Sequence, residues 1–339
     1  MGKKLVSILI PAYNAQQWIV DTLRSALAQS WPEKEVIVVD DGSRDETLAI
    51  ARTFQSPSVL VVGQENRGAS AARNRALSLA QGEFIQWLDA DNMLARDKIE
   101  RQMKEPQAAD ERVLLSSPWG FFMYRWQRAH FVRSTLWEDL PPAEWICRKF
   151  SGNTFMVPES WLVSRALTER AGRWDEALSL DDDGEYFTRV VSHCDSIRFV
   201  DGPKSYYRYA NAGSLSSMAY RPQHKLQSQF ASISSQIEVL LSLEASGRST
   251  AASLKFLQDS LIYFYPDSPE LVRKAEDLAR RLGGSLVVPT LGWKYAWLAR
   301  LFGWKAAKAA CFALPAVKAA AQSRFDKMMY RSFSNYALP

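Results

Sequence analysis

The first 91 residues alternate between short apolar segments and longer amphipathic ones, and this alternation restricts the chain to a small group of folds. The apolar segments predict strands at 6–10, 35–39, 58–62 and 83–88. The segments between them predict helices at 15–29, 43–54 and 67–80. Strands joined through helices of this length pair in parallel by right-handed crossovers, and helices cover both faces of the sheet. The sequence therefore predicts an α/β fold with a mostly parallel, doubly wound sheet.

Polar residues follow each of these predicted strands at the point where the strand ends. They are Asn14, Asp40, Asp41, Asn66, Asp89 and Asp91. In open parallel sheets, ligands bind outside the carboxyl ends of the strands. The sequence therefore predicts one binding site at that edge of the sheet.

Two of these acids are separated by a single residue, in the segment Asp89-Ala90-Asp91. Carboxylate oxygens at this spacing suit Mg²⁺ or Mn²⁺, and a departing diphosphate needs such a cation to stabilise its negative charge. The alternative is a solvated turn. The apolar strand that runs directly into the two acids favours a functional site, because charge beside a buried strand is costly.

The segment Asp40-Asp41-Gly42-Ser43 ends the second predicted strand. Ser43 and Glu46 have the spacing of a capping box, so this segment could simply begin the next helix. Two consecutive acids would repel a phosphate, however. We therefore expect Asp40 and Asp41 to accept hydrogen bonds from the base or the ribose of a nucleotide.

Residues 66–74 begin a helix whose positive end faces the same edge of the sheet. Gly68 permits close approach to the backbone. Arg67 and Arg73 lie six residues apart, so both cannot lie squarely on one helical face. We expect Arg73 to contact a diphosphate or a base; the alternative is a surface arginine paired with an acid.

Four segments resemble, in order and spacing, the family 2 glycosyltransferases: Ser7–Asn14, Val38–Asp45, Asn66–Asn74 and Leu88–Asp91. The likeness is specific over residues 5–92 and looser to about residue 216. It implies a GT-A fold and the inverting transfer of a sugar from a nucleotide diphosphate-sugar, commonly a UDP-sugar. The acceptor would be a hydroxyl of a saccharide or of a lipid-linked molecule, and the cofactor would be Mn²⁺ or Mg²⁺.

The same resemblance implies roles for individual residues. Pro11, Tyr13 and the Asp40-Asp41 pair would hold the nucleoside. Asp89 would approach the ribose and the metal, and Asp91 would ligate the metal. The complete predicted donor site comprises Pro11, Ala12, Tyr13, Asn14, Asp40, Asp41, Asn66, Arg73, Asp89, Ala90 and Arg189.

A general base is expected further along the chain, in the acidic segment 180–187. Aligning Asp182-Asp183 with the Glu-Asp pair of the family implies that Asp183 is the base, with Asp182 as the alternative. Crowded acids raise one another's proton affinity, which suits a base. An acidic turn that only caps the following helix is the other interpretation. The family's third metal ligand, often a histidine, corresponds here to Asn211.

The remaining sequence suggests four regions: a nucleotide-sugar half at 1–110, an acceptor half at 111–216, a helical extension at 217–290 and a basic tail at 291–339. The net charge is +5, and from residue 291 onward eight Lys or Arg residues face one acid. Within the tail, 291–321 combines tryptophans with lysines, which is typical of a helix lying on a membrane surface. Packing of this segment on its own domain is the alternative, and nucleic-acid binding is not expected.

The scattered cysteines and histidines predict neither a zinc site nor a disulfide framework, which favours a reducing cytoplasm. The amino end resembles a first strand more than a signal peptide, and no apolar run is long enough to span a membrane. Two other functions stay open: a sugar nucleotidyltransferase and an inactive carbohydrate- or nucleotide-binding protein. The first loop, 11–15, lacks the glycine and the cation that triphosphate-binding loops favour, which argues against the nucleotidyltransferase.

Overall fold

The computed structural model describes residues 4–209, 222–332 and 338–339. The strands are β1 (Val6–Ala12), β2 (Lys34–Asp40), β3 (Val59–Gly63), β4 (Phe84–Trp87), β5 (Met93–Leu94), β6 (Val113–Ser116), β7 (Trp119–Phe122), β8 (Val163–Ser164), β9 (Ser196–Phe199) and β10 (Ser205–Arg208). The helices are α1 (Ile19–Leu27), α2 (Thr47–Arg52), α3 (Ala69–Leu79), α4 (Lys98–Met103), α5 (Pro142–Gly152), α6 (Arg165–Ala171), α7 (Asp182–His193), α8 (Gln223–Leu243), α9 (Gly247–Phe264), α10 (Pro269–Arg281) and α11 (Trp293–Ser332).

The main sheet has the strand order β3-β2-β1-β4-β8. The first four strands are parallel, and the short β8 pairs antiparallel to β4 at one edge. All seven residues of β1 are buried because the strand lies in the middle of the sheet and is covered on both faces. The prediction of a mostly parallel sheet flanked by helices is confirmed.

The register of the strands determines where the polar residues lie. Ala12 at the end of β1 pairs with Asp40, and Asp40 pairs with Gly63 at the end of β3. The carboxyl ends of the three strands are therefore level, and the loops that follow them begin at the same edge of the sheet.

A second, three-stranded sheet in the order β5-β10-β7 lies beside this edge, and β6 pairs with β9 separately. Strand β5 follows the Asp89–Asp91 turn directly, so the turn joins the two sheets. Helices α5, α7, α8 and α9 share the larger apolar core with one face of the main sheet. This core includes Trp87, Trp161 and Tyr186.

Several predicted helix boundaries are wrong by a few residues. Helix α1 begins at Ile19 instead of residue 15, and α2 begins at Thr47 instead of residue 43. The capping box at Ser43 does not form, because the Ser43 hydroxyl accepts a hydrogen bond from the backbone N–H of Asn14. Asp45 instead accepts the backbone N–H of Thr47 at 3.0 Å.

The long helix α11 has a kink at Gly303, whose φ is +82°. Beyond the kink the helix packs on the rest of the protein. Lys308 donates to the carbonyl oxygen of Tyr265 and to Asp267, and Asp326 accepts the backbone N–H groups of Tyr124 and Arg125. The part of the tail beyond Gly303 therefore follows the self-packing alternative.

The segment before the kink has a different environment. Trp293, Trp297 and Leu301 recur every four residues and are 81%, 54% and 68% exposed. Among the described residues, no helix combines the length and the apolar character that a membrane span requires.

Candidate active site

The loop after β1 is fixed to the loop after β2 by reciprocal hydrogen bonds. Asn14 has a positive φ of 49°, and its side chain accepts the backbone N–H of Arg44 at 2.8 Å. Pro11 and Ala12 are buried in β1, whereas Tyr13 is 46% exposed. The arrangement presents the Tyr13 ring at the edge where nucleoside contacts are predicted.

The two acids at the end of β2 differ in their contacts, although each is only 2% exposed. Asp40 Oδ2 accepts the backbone N–H of Ser43 at 3.0 Å, and its Oδ1 is buried and has no hydrogen-bond partner among the described residues. A buried acceptor without a partner is costly and indicates a missing donor. Asp40 therefore suits a ligand N–H or O–H at this position.

Asp41 directs its carboxylate to the loop after β3 instead. Its Oδ1 accepts the backbone N–H of Arg67 at 2.9 Å and the side chain of Gln64, and its Oδ2 accepts the N–H of Gly68 at 2.8 Å. Asn66 donates from its side-chain amide to the carbonyl oxygen of Asp41. Asp41 thus orders the 64–68 loop from inside the protein, and its contact with a nucleotide stays a prediction.

Arg73 is the residue that brings distant acids together. Its guanidinium donates to Asp182 Oδ2 at 2.7 Å and to Asp89 Oδ1 at 2.9 Å. The group also lies 4.3 Å from the centre of the Trp174 ring, and the whole residue is only 6% exposed. Burial alone would lower the pKa of Arg73, but Asp89 and Asp182 raise it above its ordinary value, so the side chain stays charged. Arg73 therefore pairs with acids, as the alternative interpretation expected, but it is buried and does not lie on the surface. A contact of Arg73 with a diphosphate stays a prediction.

The consequence of this bridge is that the Asp89–Asp91 turn and the start of α7 face the same space. Asp89 and Asp182 lie 93 positions apart in the sequence, yet both carboxylates contact one guanidinium. Ser70 also donates to Asp182, at 3.2 Å. Asp183 follows Asp182 and lies beside the same cluster.

Asp183 has the electrostatic properties of a base. Burial, followed by the charges of Asp182 and Asp181, raises its pKa to about 7. The side chain is nevertheless partly exposed, and its Oδ1 accepts the backbone N–H of Gly184 at 2.9 Å. A carboxyl group with a pKa near neutrality can take a proton and release it again at physiological pH.

Arg189 lies on the same helix but is engaged elsewhere. It forms a two-pronged ion pair with Glu185, at 2.6 and 2.7 Å, and donates to the carbonyl oxygen of Arg173 at 2.9 Å. The side chain neutralises Glu185 and holds the turn before α7. The predicted contact of Arg189 with a diphosphate stays a prediction.

A fully buried acid, Glu159, holds the turn Asp89-Ala90-Asp91 from the interior of the protein. Glu159 accepts the backbone N–H of Asp89 at 3.0 Å and the side-chain amide of Asn92 at 2.6 Å. Burial and the charge of Asp89 raise the pKa of Glu159 to about 8. Arg208, at the end of β10, donates from its side chain to the carbonyl oxygen of Asp91 at 2.7 Å.

The donor atoms of this turn fit a small, hard cation that other ligands complete. Asp89 and Asp91 are both partly exposed, and Ala90 is buried between them. Within the described parts of the chain, no cluster of three or more His, Cys, Asp or Glu side chains could hold a metal by itself. Mg²⁺ typically needs only one or two protein carboxylates, since water and phosphate oxygens fill its other positions. Asn211 and the rest of the segment 210–221 lie outside the described residues.

Sequence reasoning missed Glu159 and Arg208. Glu159 is isolated between apolar segments, and Arg208 lies among Tyr206, Tyr207 and Tyr209. An acid in an otherwise apolar stretch is the one signal that could have identified Glu159, because buried charges need partners.

The family comparison agrees with this geometry. The model described as "Glycosyl transferase family 2" matches residues 7–172. The chain carries a family 2 glycosyltransferase domain. Asp40, Arg73, Asp89, Asp91 and Glu159 all lie within the matched part of this domain, whereas α7 and its acids follow it.

Curated relatives named as glycosyltransferases match part of this chain. A putative teichuronic acid biosynthesis glycosyltransferase, TuaG of Bacillus subtilis, is 43% identical over 105 residues, which is 30% of this chain and 42% of TuaG. The glycosyltransferase GlyG of Streptococcus pneumoniae is 29% identical over 48% of this chain and 58% of its own length. The chain thus spans about half the length of these two relatives.

Solved structures extend the match in fold beyond that domain. S. aureus TarS residues 1–349, crystallised in complex with UDP-GlcNAc, superimpose with a TM-score of 0.58 at 18% sequence identity. The superposition covers 83% of this chain and 92% of that chain. The GT-A architecture, with additional helices after the sheet, is therefore confirmed.

Proposed function

We propose that this protein transfers a sugar from a nucleotide diphosphate-sugar, most favourably a UDP-sugar, to a hydroxyl of a saccharide or lipid-linked acceptor, with inversion at the anomeric carbon. The observation that carries the proposal is the Arg73 bridge, at 2.7 Å to Asp182 and 2.9 Å to Asp89. It brings the turn suited to a diphosphate-bound cation next to the turn that carries Asp183. Both are needed for a displacement in which a hydroxyl attacks as a diphosphate leaves.

The donor would bind along the edge of the main sheet. The unpartnered Asp40 Oδ1 suits an N–H of the base, and the exposed Tyr13 ring suits a face of the nucleoside. The complex of S. aureus TarS with UDP-GlcNAc supports a uridine nucleotide and a sugar of this kind. Asp89 and Asp91 would hold Mg²⁺ or Mn²⁺, which supplies positive charge to the leaving diphosphate when bound.

Asp183 would act as the general base. Its carboxylate takes the proton of the acceptor hydroxyl while that oxygen forms a bond to the anomeric carbon, and the bond from this carbon to the diphosphate oxygen breaks. The electron pair leaves with the diphosphate, and the proton remains on Asp183. Arg73 keeps Asp182 paired during this step, and the pKa of the neighbouring Asp183 is raised to about 7.

A donor-turnover assay tests the proposal. We expect release of UDP from UDP-GlcNAc or UDP-glucose in the presence of Mn²⁺, and its loss on chelation with EDTA or in Asp91→Asn. A surface variant, Asp277→Asn, serves as the matched control because this carboxylate is 57% exposed on α10. UDP binding without metal-dependent turnover across a panel of donors would favour the inactive binding protein, and formation of a nucleotide-sugar from a nucleoside triphosphate would favour the nucleotidyltransferase.

We further propose that the segment 293–302 lies on the surface of an anionic membrane. Trp293, Trp297 and Leu301 are exposed along one line of the helix, and Lys294 and Arg300 are exposed beside them. Aromatic side chains at an interface and cations facing anionic lipid headgroups are the features of a helix that lies on a membrane. A membrane position would suit a lipid-linked acceptor.

Flotation with vesicles tests the membrane proposal on the full chain. We expect recovery with phosphatidylglycerol vesicles and little with phosphatidylcholine vesicles. The triple variant Trp293→Ser, Trp297→Ser, Leu301→Ser should stay in the soluble fraction, while Lys255→Ser on α9 should float like the wild type. Equal recovery of the wild type and the triple variant would refute the proposal.

A further inference from the structure

Helix α5 places a lysine in the interior of the protein directly behind the turn that carries Asp183. Lys149 is 7% exposed, and its ammonium group donates to the carbonyl oxygen of Gly184 at 3.3 Å and to the Thr188 hydroxyl at 3.2 Å. It also donates to the side-chain oxygen of Gln236. Three acceptors match the three donors of a protonated lysine. The geometry thus assigns a positive charge to this position.

Helix α8 also holds this turn through Asp181. Gln236 of α8 donates from its amide nitrogen to Asp181 Oδ2 at 2.8 Å, and Ser232 donates to the same oxygen at 2.7 Å. Asp181 has a positive φ of 58°, which is a costly conformation for a residue other than glycine. The contacts with α8 therefore stabilise a strained turn directly before Asp183.

Gly184 completes this arrangement. A Cβ atom at position 184 would lie 2.2 Å from Asp181 Oδ1, so a side chain there would force the Asp181 carboxylate to move. The Asp181 carbonyl oxygen in turn accepts the backbone N–H of Glu185. Residues 181–185 therefore form a unit whose position depends on Lys149 and Gln236.

We propose that Lys149 is a positioning residue for the reaction: it fixes the turn at the start of α7 and supplies a buried positive charge that favours the ionised form of Asp183. This inference rests on the proposed role of Asp183 as general base. It goes beyond that role because α5 and α8 contact neither the predicted nucleotide site nor the metal turn through these residues.

Several charged groups around Asp183 favour or disfavour its ionised form. Asp181 and Asp182 on its own turn and Asp89 after β4 all disfavour its ionised form. Arg73 from α3 favours that form. Helix α8 faces the turn with the neutral side chains Ser232 and Gln236, whereas α5 faces it with the ammonium group of Lys149. Burial lowers the pKa of Lys149 overall, although the charges of Asp181, Asp183 and Glu185 favour its protonated form.

The test compares pH profiles of metal-dependent UDP release from UDP-GlcNAc. In the wild type, a base with a pKa of about 7 gives a rate that rises through pH 7. Lys149→Met removes a charge that favours the carboxylate, so the midpoint should move to higher pH by about one unit. The rate should then fall about fivefold at pH 7 and recover to near the wild-type value at pH 9, since one pH unit changes the ionised fraction of such a group by that amount.

Controls separate this effect from simple loss of structure. Lys149→Arg keeps the charge and should keep the wild-type midpoint, and Lys255→Met on the surface should leave the whole profile unchanged. A uniform loss of rate at every pH in Lys149→Met, with the midpoint unmoved, would overturn the proposal. If Lys149→Met does not fold, Gln236→Glu places an opposing charge beside the ammonium and should move the midpoint in the same direction; an unmoved midpoint there would overturn the proposal equally.

The failure of this inference differs from the failure of the proposed function. If Asp183→Asn keeps the rate and the pH dependence of the wild type, then Asp183 is not the base and the proposed mechanism fails. If Asp183→Asn is inactive but the midpoint does not respond to position 149, only the role of Lys149 fails.

Discussion

Two runs of consecutive aspartates lie at the candidate site, and they are held in different ways. At the end of β2, Asp41 is satisfied by two backbone N–H groups and one amide, and Asp40 by one backbone N–H. At the start of α7, Asp181 accepts hydrogen bonds from side chains of α8, and Asp182 accepts one from Arg73 of α3. Among the hydrogen bonds that hold this turn, Asp183 accepts only the backbone N–H of Gly184.

The difference explains why acids of the same type can serve different purposes. Backbone donors fix an acceptor in a rigid position, as recognition of a nucleotide requires. At the start of α7 the acids are crowded and only partly exposed, and Arg73 neutralises only one of them directly. The remaining carboxyl, Asp183, has its pKa raised to about 7 by burial and by Asp182 and Asp181, as proton transfer requires.

The largest effect is expected from Asp183→Asn, which removes the base but keeps the shape of the side chain. Turnover of the donor should fall by about 10²- to 10⁴-fold, the usual contribution of a general base. Binding of UDP, measured by calorimetry, should stay within about threefold of the wild type because the β2 run is unchanged. Asp277→Asn is the control. A variant that retains more than a tenth of the activity would show that the two runs do not divide the work as described.

A second experiment compares the two members of the β2 run. Asp41→Asn replaces an acceptor that receives two backbone N–H groups with a group that is half donor, so the free energy of unfolding should fall by about 1–3 kcal/mol. Asp40→Asn loses one such bond and should be less destabilising, but it should weaken UDP binding by about tenfold. Urea unfolding and UDP titration measure the two effects. Equal destabilisation with equal UDP affinity would contradict the contrast between the two residues.

A third experiment uses pH to distinguish the runs. In the proposed mechanism the ionised form of Asp183 is the active one, and the pKa of this side chain is raised to about 7. Turnover should therefore rise about tenfold between pH 6 and pH 8, the change expected when one group with that pKa loses its proton. UDP binding at saturating Mn²⁺ should change much less over this range. A flat rate profile would indicate that the acid at the start of α7 is ionised throughout and has no role in the rate-limiting proton transfer.

Much of the β2 side of the site could be predicted from sequence because its determinants are local. Each apolar strand ends in a polar residue, and parallel pairing brings those ends together, so the common edge at which Asp40 and Asp89 lie can be predicted without any knowledge of contacts. The partners of these residues were predicted less well. The Ser43 hydroxyl serves Asn14 instead of the next helix because that loop lies within hydrogen-bond reach only after folding.

The α7 side depends on contacts that no local pattern encodes. Lys149 and Gln236 lie 87 residues apart, and Arg73 and Asp182 lie 109 apart. Each of these residues taken alone resembles an ordinary surface residue on an amphipathic helix. These residues support the turn at the start of α7 only because α3, α5 and α8 pack around it.

The smallest effect is expected from Arg67→Ala, at the surface between the loop that Asp41 holds and the turn before α7. The backbone N–H of Arg67 donates to Asp41, and its side chain pairs with Glu176 at 2.8 Å, close to the turn before α7. The guanidinium is 67% exposed, so solvent screens the pair and Arg67→Ala should cost no more than about 1 kcal/mol of unfolding free energy. The backbone bond to Asp41 survives this substitution, and any cost should shrink in 1 M NaCl because salt screens exposed charges. A loss above about 2 kcal/mol, or one insensitive to salt, would mean that this exposed pair couples the two acidic runs as strongly as the buried Arg73 bridge does, and that the runs are less independent than their contacts indicate.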